Sequence, residues 1–148
     1  MERILVGMTP RHGAFAALTR ALSLAKRIGA KVHVLYVTEG PEDNTRATPP
    51  LAAADDRGRA RLMVERAQEE GVGVECFVTE GDFEEEVIRF ARDRKITLLV
   101  LESADGEGRA SEREAQSLRR ILHGVSCRVE LVTPRREPNE TQTKGEAT

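Results

Sequence analysis

Residues 98–122 read LLVLESADGEGRASEREAQSLRRIL: a short apolar run, a polar turn holding Gly106 and Gly108, and then a helical pattern. Glycines between a strand and a helix let an anion approach bare backbone N–H groups, and the helix dipole favours negative charge there. Yet Glu102, Asp105, Glu107, Glu112 and Glu114 crowd this turn. The stretch has the layout of a phosphate site and the charge of one that repels phosphate.

Upstream, GDFEEEVIRFARDR at 81–94 opens with Asp82 and has Glu85 three residues on, a capping-box arrangement. Phe83, Val87, Phe90 and Ala91 give it one apolar face, and 96–101 follows as a strand. Downstream, Ser111 and Glu114 repeat the cap signal before a helix with Ala115, Leu118, Ile121 and Leu122 on one face. Gly124 is placed to stop it, and 127–133 (CRVELVT) reads as a further strand.

The N-terminal half repeats the alternation. RILVGM at 3–8 is a nearly continuous apolar run broken by TPRHG at 9–13. A helix follows through Phe15, Leu18, Leu22, Ala25 and Ile28, with Gly29 to end it. KVHVLYV at 31–37 is the second strand, and the polar, proline-bearing 38–50 suits a mobile connection. Residues 51–70 read as an exposed helix closed by Gly71, and VGVECFVT at 72–79 as the third strand. From Pro134 onward one residue in fifteen is apolar, the composition of a disordered tail.

Strands alternating with helices imply right-handed crossovers and an α/β fold, a parallel sheet between two helical layers. Ligands of such sheets sit beyond the C-terminal strand ends where the strand order reverses, which singles out the turns after the first and fourth strands.

Composition narrows the function. The 148 residues, 39% of them hydrophobic, suffice for one domain with a real core. A formal net charge of -2, from 23 basic and 25 acidic residues, supplies no field for nucleic acid or an anionic membrane. The longest apolar runs fall far short of the roughly 20 residues of a membrane span, and no leader pattern opens the chain, so a soluble cytoplasmic protein is expected. Cys76 and Cys127 stand far apart without a CxxC, and with three histidines no metal spacing forms. Both cysteines read as small buried apolar residues.

No nucleophile elbow, P-loop lysine, GxGxxG or ordered Ser-His-Asp set occurs, so no enzyme is expected. His12 reads as a solvated loop residue, His33 lies at the N-terminal end of its strand away from the expected site, and His123 suits a last helical turn. The run 84–86 is helix N-terminal charge, and Arg113, Arg119 and Arg120 belong to a mixed exposed face.

RILVGM at 3–8, ALSLAKRIGAKVHVLYV at 21–37, GDFEEEVIRFARDRKITLLVLES at 81–103 and LHGVSCRVELV at 122–132 are weak patterns singly. In this order and spacing the chain resembles the universal stress protein family over residues 2–134. The resemblance implies a single doubly wound five-stranded parallel sheet of order 3-2-1-4-5. That is a Rossmann-like three-layer sandwich, similar to the adenine-nucleotide alpha-hydrolase-like folds, at 1–134, with 135–148 as a tail. Nucleotide-binding members carry an aspartate just past the first strand and a G-x2-G-x9-G-S/T motif after the fourth. Alignment on VLES and LHGVSCRV without a gap puts Glu102 and Asp105 at the first two glycines, Ala115 and Gln116 at the closing Gly-Ser, and Thr9 at the aspartate. Val37 and Leu101 complete this degenerate set, and Gly106 and Gly108 could still offer N–H donors in a rebuilt loop. The departures imply a stress-response or signalling protein that holds no cofactor, does not bind ATP and acts through a protein partner. The alternative is an ATP- or AMP-binding member with a rebuilt loop and weak hydrolysis.

The family commonly dimerises through its last strand, and the residues here offer a register. An edge strand leaves N–H and C=O groups unpaired. A two-fold axis at Val129 sets Arg128 of one chain opposite Glu130 of the other, with Leu131 and Val132 continuing the interface. An axis at Glu130 would oppose two glutamates, at a penalty of about 0.5 kcal/mol.

Overall fold

The computed structural model describes residues 2–9, 14–38, 50–102 and 110–133, leaving aside the side chains of 50–57 and 110–114. Along them run β1 (Arg3–Met8), α1 (Phe15–Ile28), β2 (Lys31–Thr38), α2 (Pro50–Glu69), β3 (Gly73–Glu80), α3 (Phe83–Asp93), β4 (Leu98–Glu102), α4 (Ala110–Gly124) and β5 (Arg128–Val132). The strands form one sheet in the order β3-β2-β1-β4-β5. Every neighbouring pair is parallel, from Arg3↔Lys31 in β1 and β2 to Leu98↔Arg128 in β4 and β5.

The two-residue period of the strands sorts their side chains into two cores. Ile4, Val6, Val32, Val34, Leu98 and Val100 pack with Leu18, Ala21 and Ala25 of α1 and Val64 and Ala67 of α2. Leu5, Leu35, Val37, Leu99 and Leu101 pack with Val87 and Ala91 of α3 and Ile121 of α4. The three inner strands are thus buried on both faces, which is why they read as apolar runs rather than alternating ones. Fully buried side chains of these strands, such as Leu5 and Leu99, contribute about 1.5–3 kcal/mol each.

Helix ends follow from particular residues. Gly29 ends α1 in the left-handed conformation, φ 73°, which a side chain would strain, and its N–H donates to the Ala25 carbonyl. At α3, Asp82 accepts from the Glu85 N–H at 3.1 Å. That is one half of the box read from the sequence, since the Glu85 carboxylate lies 3.6 Å from Arg120 of α4. Gly124 is the last residue of α4, and a Cβ there would lie 2.4 Å from Ile88 Cδ1. It serves the close approach of α4 to α3 as well as the stop. The cap expected at Ser111 and Glu114 falls on side chains outside the described set.

Boundaries shift where tertiary bonds intervene. β2 runs on to Thr38, whose carbonyl accepts from the Gly81 N–H at 2.7 Å. β4 begins at Leu98 instead of 96, because the Ile96 N–H is turned back to the Ala91 carbonyl of α3. The cysteine reading is corrected: Cys76 is exposed and Cys127 half-buried. Cys76 belongs to β3, an edge of the sheet, where among the described strands β2 alone neighbours it.

Candidate functional site

β1 lies between β2 and β4, so the chain winds outward from it in both directions and the crevice forms beyond Met8 and Glu102. α1 starts at this crevice and points its N-terminus into it. Its N-cap, Ala14, sits at φ 55°, ψ 36° and has no side chain able to cap. The first-turn N–H groups therefore need an acceptor from elsewhere.

Glu102, the last residue of β4, supplies it. Its Oε1 accepts from the Ala16 N–H at 2.9 Å and from the Ala17 N–H at 3.1 Å, across 86 and 85 residues of sequence. These are the second and third helical positions, the donors that a capping side chain would normally take. A carboxylate here also meets the positive end of the helix dipole. Both amides at this end of the crevice are thus engaged by a side chain of the protein itself.

The other sequence-selected positions surround this contact or lie apart from it. Thr9 follows β1 directly and is half-buried. Val37 and Leu101 are buried and belong to the core under α3 and α4, so their side chains act as packing. Ala115 and Gln116 are exposed on α4. Asp105, Gly106, Gly108 and His12 lie outside the described residues. Nothing in the sequence points to the amides of Ala16 and Ala17. The one available signal was negative: no Ser, Thr, Asp or Asn stands at 14 to cap an otherwise well-formed helix. Beside them, the Arg59 guanidinium of α2 lies 4.5 Å from the ring centre of Phe15, placing a cation at the same end of α1.

At the far edge, Val129 and Val132 of β5 are half-buried against the two cores, while Leu131 is 46% exposed. Glu130 is held by Arg20 of α1 at 2.6 Å, and Arg128 lies 3.6 Å from Glu2. Among the described residues no group of three His, Cys, Asp or Glu side chains gathers as a metal site, and no helix is long and apolar enough to cross a membrane.

Solved structures share this architecture. A universal stress protein in complex with cAMP superposes with a TM-score of 0.66 at 17% identity, covering 89% of this chain and 96% of that one. The universal stress protein UspA from Lactobacillus plantarum gives 0.61 at 20% identity, covering 88% and 97%. The universal stress protein from Archaeoglobus fulgidus in complex with dAMP gives 0.60 at 17%, again covering 88% and 97%. No curated protein matches the sequence. The sequence pattern of the universal stress protein family matches residues 1–138, and with the sheet order and crevice described above this chain belongs to that family.

Proposed function

We propose that this chain is a cytoplasmic, homodimeric universal stress protein that acts in stress response or signalling by binding a protein partner, without loading ATP and without catalysis. The observation that carries the absence of ATP is the Glu102 carboxylate seated on the α1 amides. A phosphate brought to about 5 Å from it, at an effective dielectric of about 20, is repelled by roughly 3 kcal/mol per charge pair. That exceeds a hundredfold in affinity, and the two amides that would have compensated are already engaged.

Protein purified without added ligand is expected to release no adenine nucleotide on denaturation. ATP or AMP with magnesium should leave the melting temperature unchanged, whereas a ligand at 100 times its dissociation constant would add about 2.7 kcal/mol. Release of a nucleotide would establish the other reading, a binder rebuilt around Gly106 and Gly108. The cAMP and dAMP held by the structural neighbours favour that reading. Replacing Thr9 by Asp, Glu102 and Asp105 by Gly, Ala115 by Gly and Gln116 by Ser should move the chain toward binding.

The dimer is proposed through β5, whose Arg128 side chain is 72% exposed and whose Leu131 presents apolar surface at the sheet edge. Glu130 would meet the partner's Arg128 while keeping Arg20. Arg128→Glu should weaken a dimer seen by light scattering at micromolar concentration. A monomer in the wild type, or an unchanged dissociation constant, removes the β5 interface. Co-purification from the native host addresses the protein partner.

A further inference from the structure

At the opposite end of the sheet from the crevice, His33 of β2 is only 3% exposed, and among the described residues neither ring nitrogen has a hydrogen-bond partner. The ring stacks on Phe77 of β3 at 6.2 Å and meets Phe90 of α3 edge-on at 5.8 Å. Phe77 and Phe90 touch each other at 5.1 Å. Over both phenyl rings lies the Arg94 guanidinium, 4.6 Å from one centre and 5.2 Å from the other. A third phenylalanine would fill this aromatic box without burying an unmet N–H and an unmet lone pair. Packing alone therefore does not account for a histidine here.

The charges facing the ring come from every strand and helix around it. Glu75 of β3 places Oε1 3.8 Å from Nδ1, while its other oxygen pairs with Lys31 of β2 at 3.2 Å. Arg94 after α3 and Arg3 of β1 add positive charge. Burial pushes the imidazole below its ordinary value; Glu75 pulls it the other way, and Lys31, Arg94 and Arg3 push it lower still.

We propose that His33 is an acid-sensitive latch on the corner made by β2, β3 and α3, packed while its ring is neutral and released when the ring takes a proton. The proton puts a second cation beside the two phenyl rings that Arg94 already covers, and it draws Glu75 away from Lys31. Among the described strands β3 is an edge paired with β2 alone, so this corner has less to hold it than the inner strands have. The unfolded chain binds the proton at about pH 6.5, the folded chain only at lower pH. Stability from the neutral ring is therefore complete above about pH 6.5 and falls as pH drops below it. The unfolding constant grows by up to about tenfold per pH unit until the folded-state value is reached.

Urea unfolding of the full chain at about pH 7.5 and about pH 5.5, either side of the ordinary histidine value of about 6.5, tests the latch in wild type and in His33→Phe. The wild-type unfolding constant should rise severalfold more than that of the variant, because His12 and His123 remain in both. Equal rises overturn the proposal. Proton NMR of the wild type gives a second measurement that needs no variant. The His33 ring should stay neutral below about pH 6.5, and the amides of 75–77 should shift as it titrates. A ring that titrates at or above that value, or that titrates while those amides stay fixed, overturns it equally.

Discussion

The N-termini of α1 and α3 face the same physical demand and meet it differently. Each leaves first-turn N–H groups without an intrahelical acceptor, and each receives a carboxylate. At α3 the carboxylate is local: Asp82, in extended conformation at φ -75°, ψ 128°, accepts from Glu85 three residues on. At α1 the residue in that place is a left-handed alanine, and the carboxylate comes from Glu102 at the end of another strand. A local cap fixes where a helix starts. The remote cap also ties β4 to α1 across the crevice. The same chemistry thus starts a helix locally in one region and joins two distant elements in the other.

Glu102→Ala should have the largest effect, because it strips two part-buried N–H groups of a charged acceptor. A hydrogen bond to a charged group contributes roughly 1.5–3 kcal/mol, and a loss of about 2–3 kcal/mol in urea unfolding is expected. The Ala16 and Ala17 amides should lose hydrogen-exchange protection selectively. Glu102→Gln keeps an acceptor and drops the charge, so about 1 kcal/mol should be lost. Asp82→Ala removes a more exposed cap and should also fall near about 1 kcal/mol, with Glu85 as the amide affected. If Asp82→Ala proves costlier than Glu102→Ala, the remote cap is incidental and the contrast between the helices collapses.

What the sequence revealed divides along the same line. The strands at 3–8 and 31–37, the glycine ending α1 and the Asp82 cap are consequences of neighbours in sequence, and all are present in the structure. The strand order 3-2-1-4-5 came from family resemblance, since no strand's own composition says who lies beside it. Contacts between distant residues were illegible for that reason: Glu102 with Ala16, Glu130 with Arg20, and His33 with Phe90. Cys76 was misread because a small thiol in an apolar run looks the same in a central strand as in an edge strand. In the sequence the acidic turn reads as hostile to phosphate through repulsion. That Glu102 also occupies the amides needs the fold.

The smallest effect expected is at Ala14, and its smallness is itself a test. Alanine at φ 55° carries left-handed strain of about 1–2 kcal/mol, which glycine would not carry. Against this, Ala14 is 4% exposed, and removing its methyl forfeits about 0.8 kcal/mol of burial. Glycine also loosens the unfolded chain, a further loss of about 0.4–1 kcal/mol. The opposing effects nearly cancel, so Ala14→Gly should lie within about 0.5 kcal/mol of wild type in urea unfolding. Asp82→Gly should also be small, a few tenths of a kcal/mol, because glycine is tolerated at an ordinary N-cap. The two glycine variants separate when the remote carboxylate is removed. In a Glu102→Ala background the turn at Ala14 has lost its anchor, so Ala14→Gly should become destabilising by more than it is alone. An additive pair would mean that Glu102 holds the amides of α1 without holding the turn that leads into them.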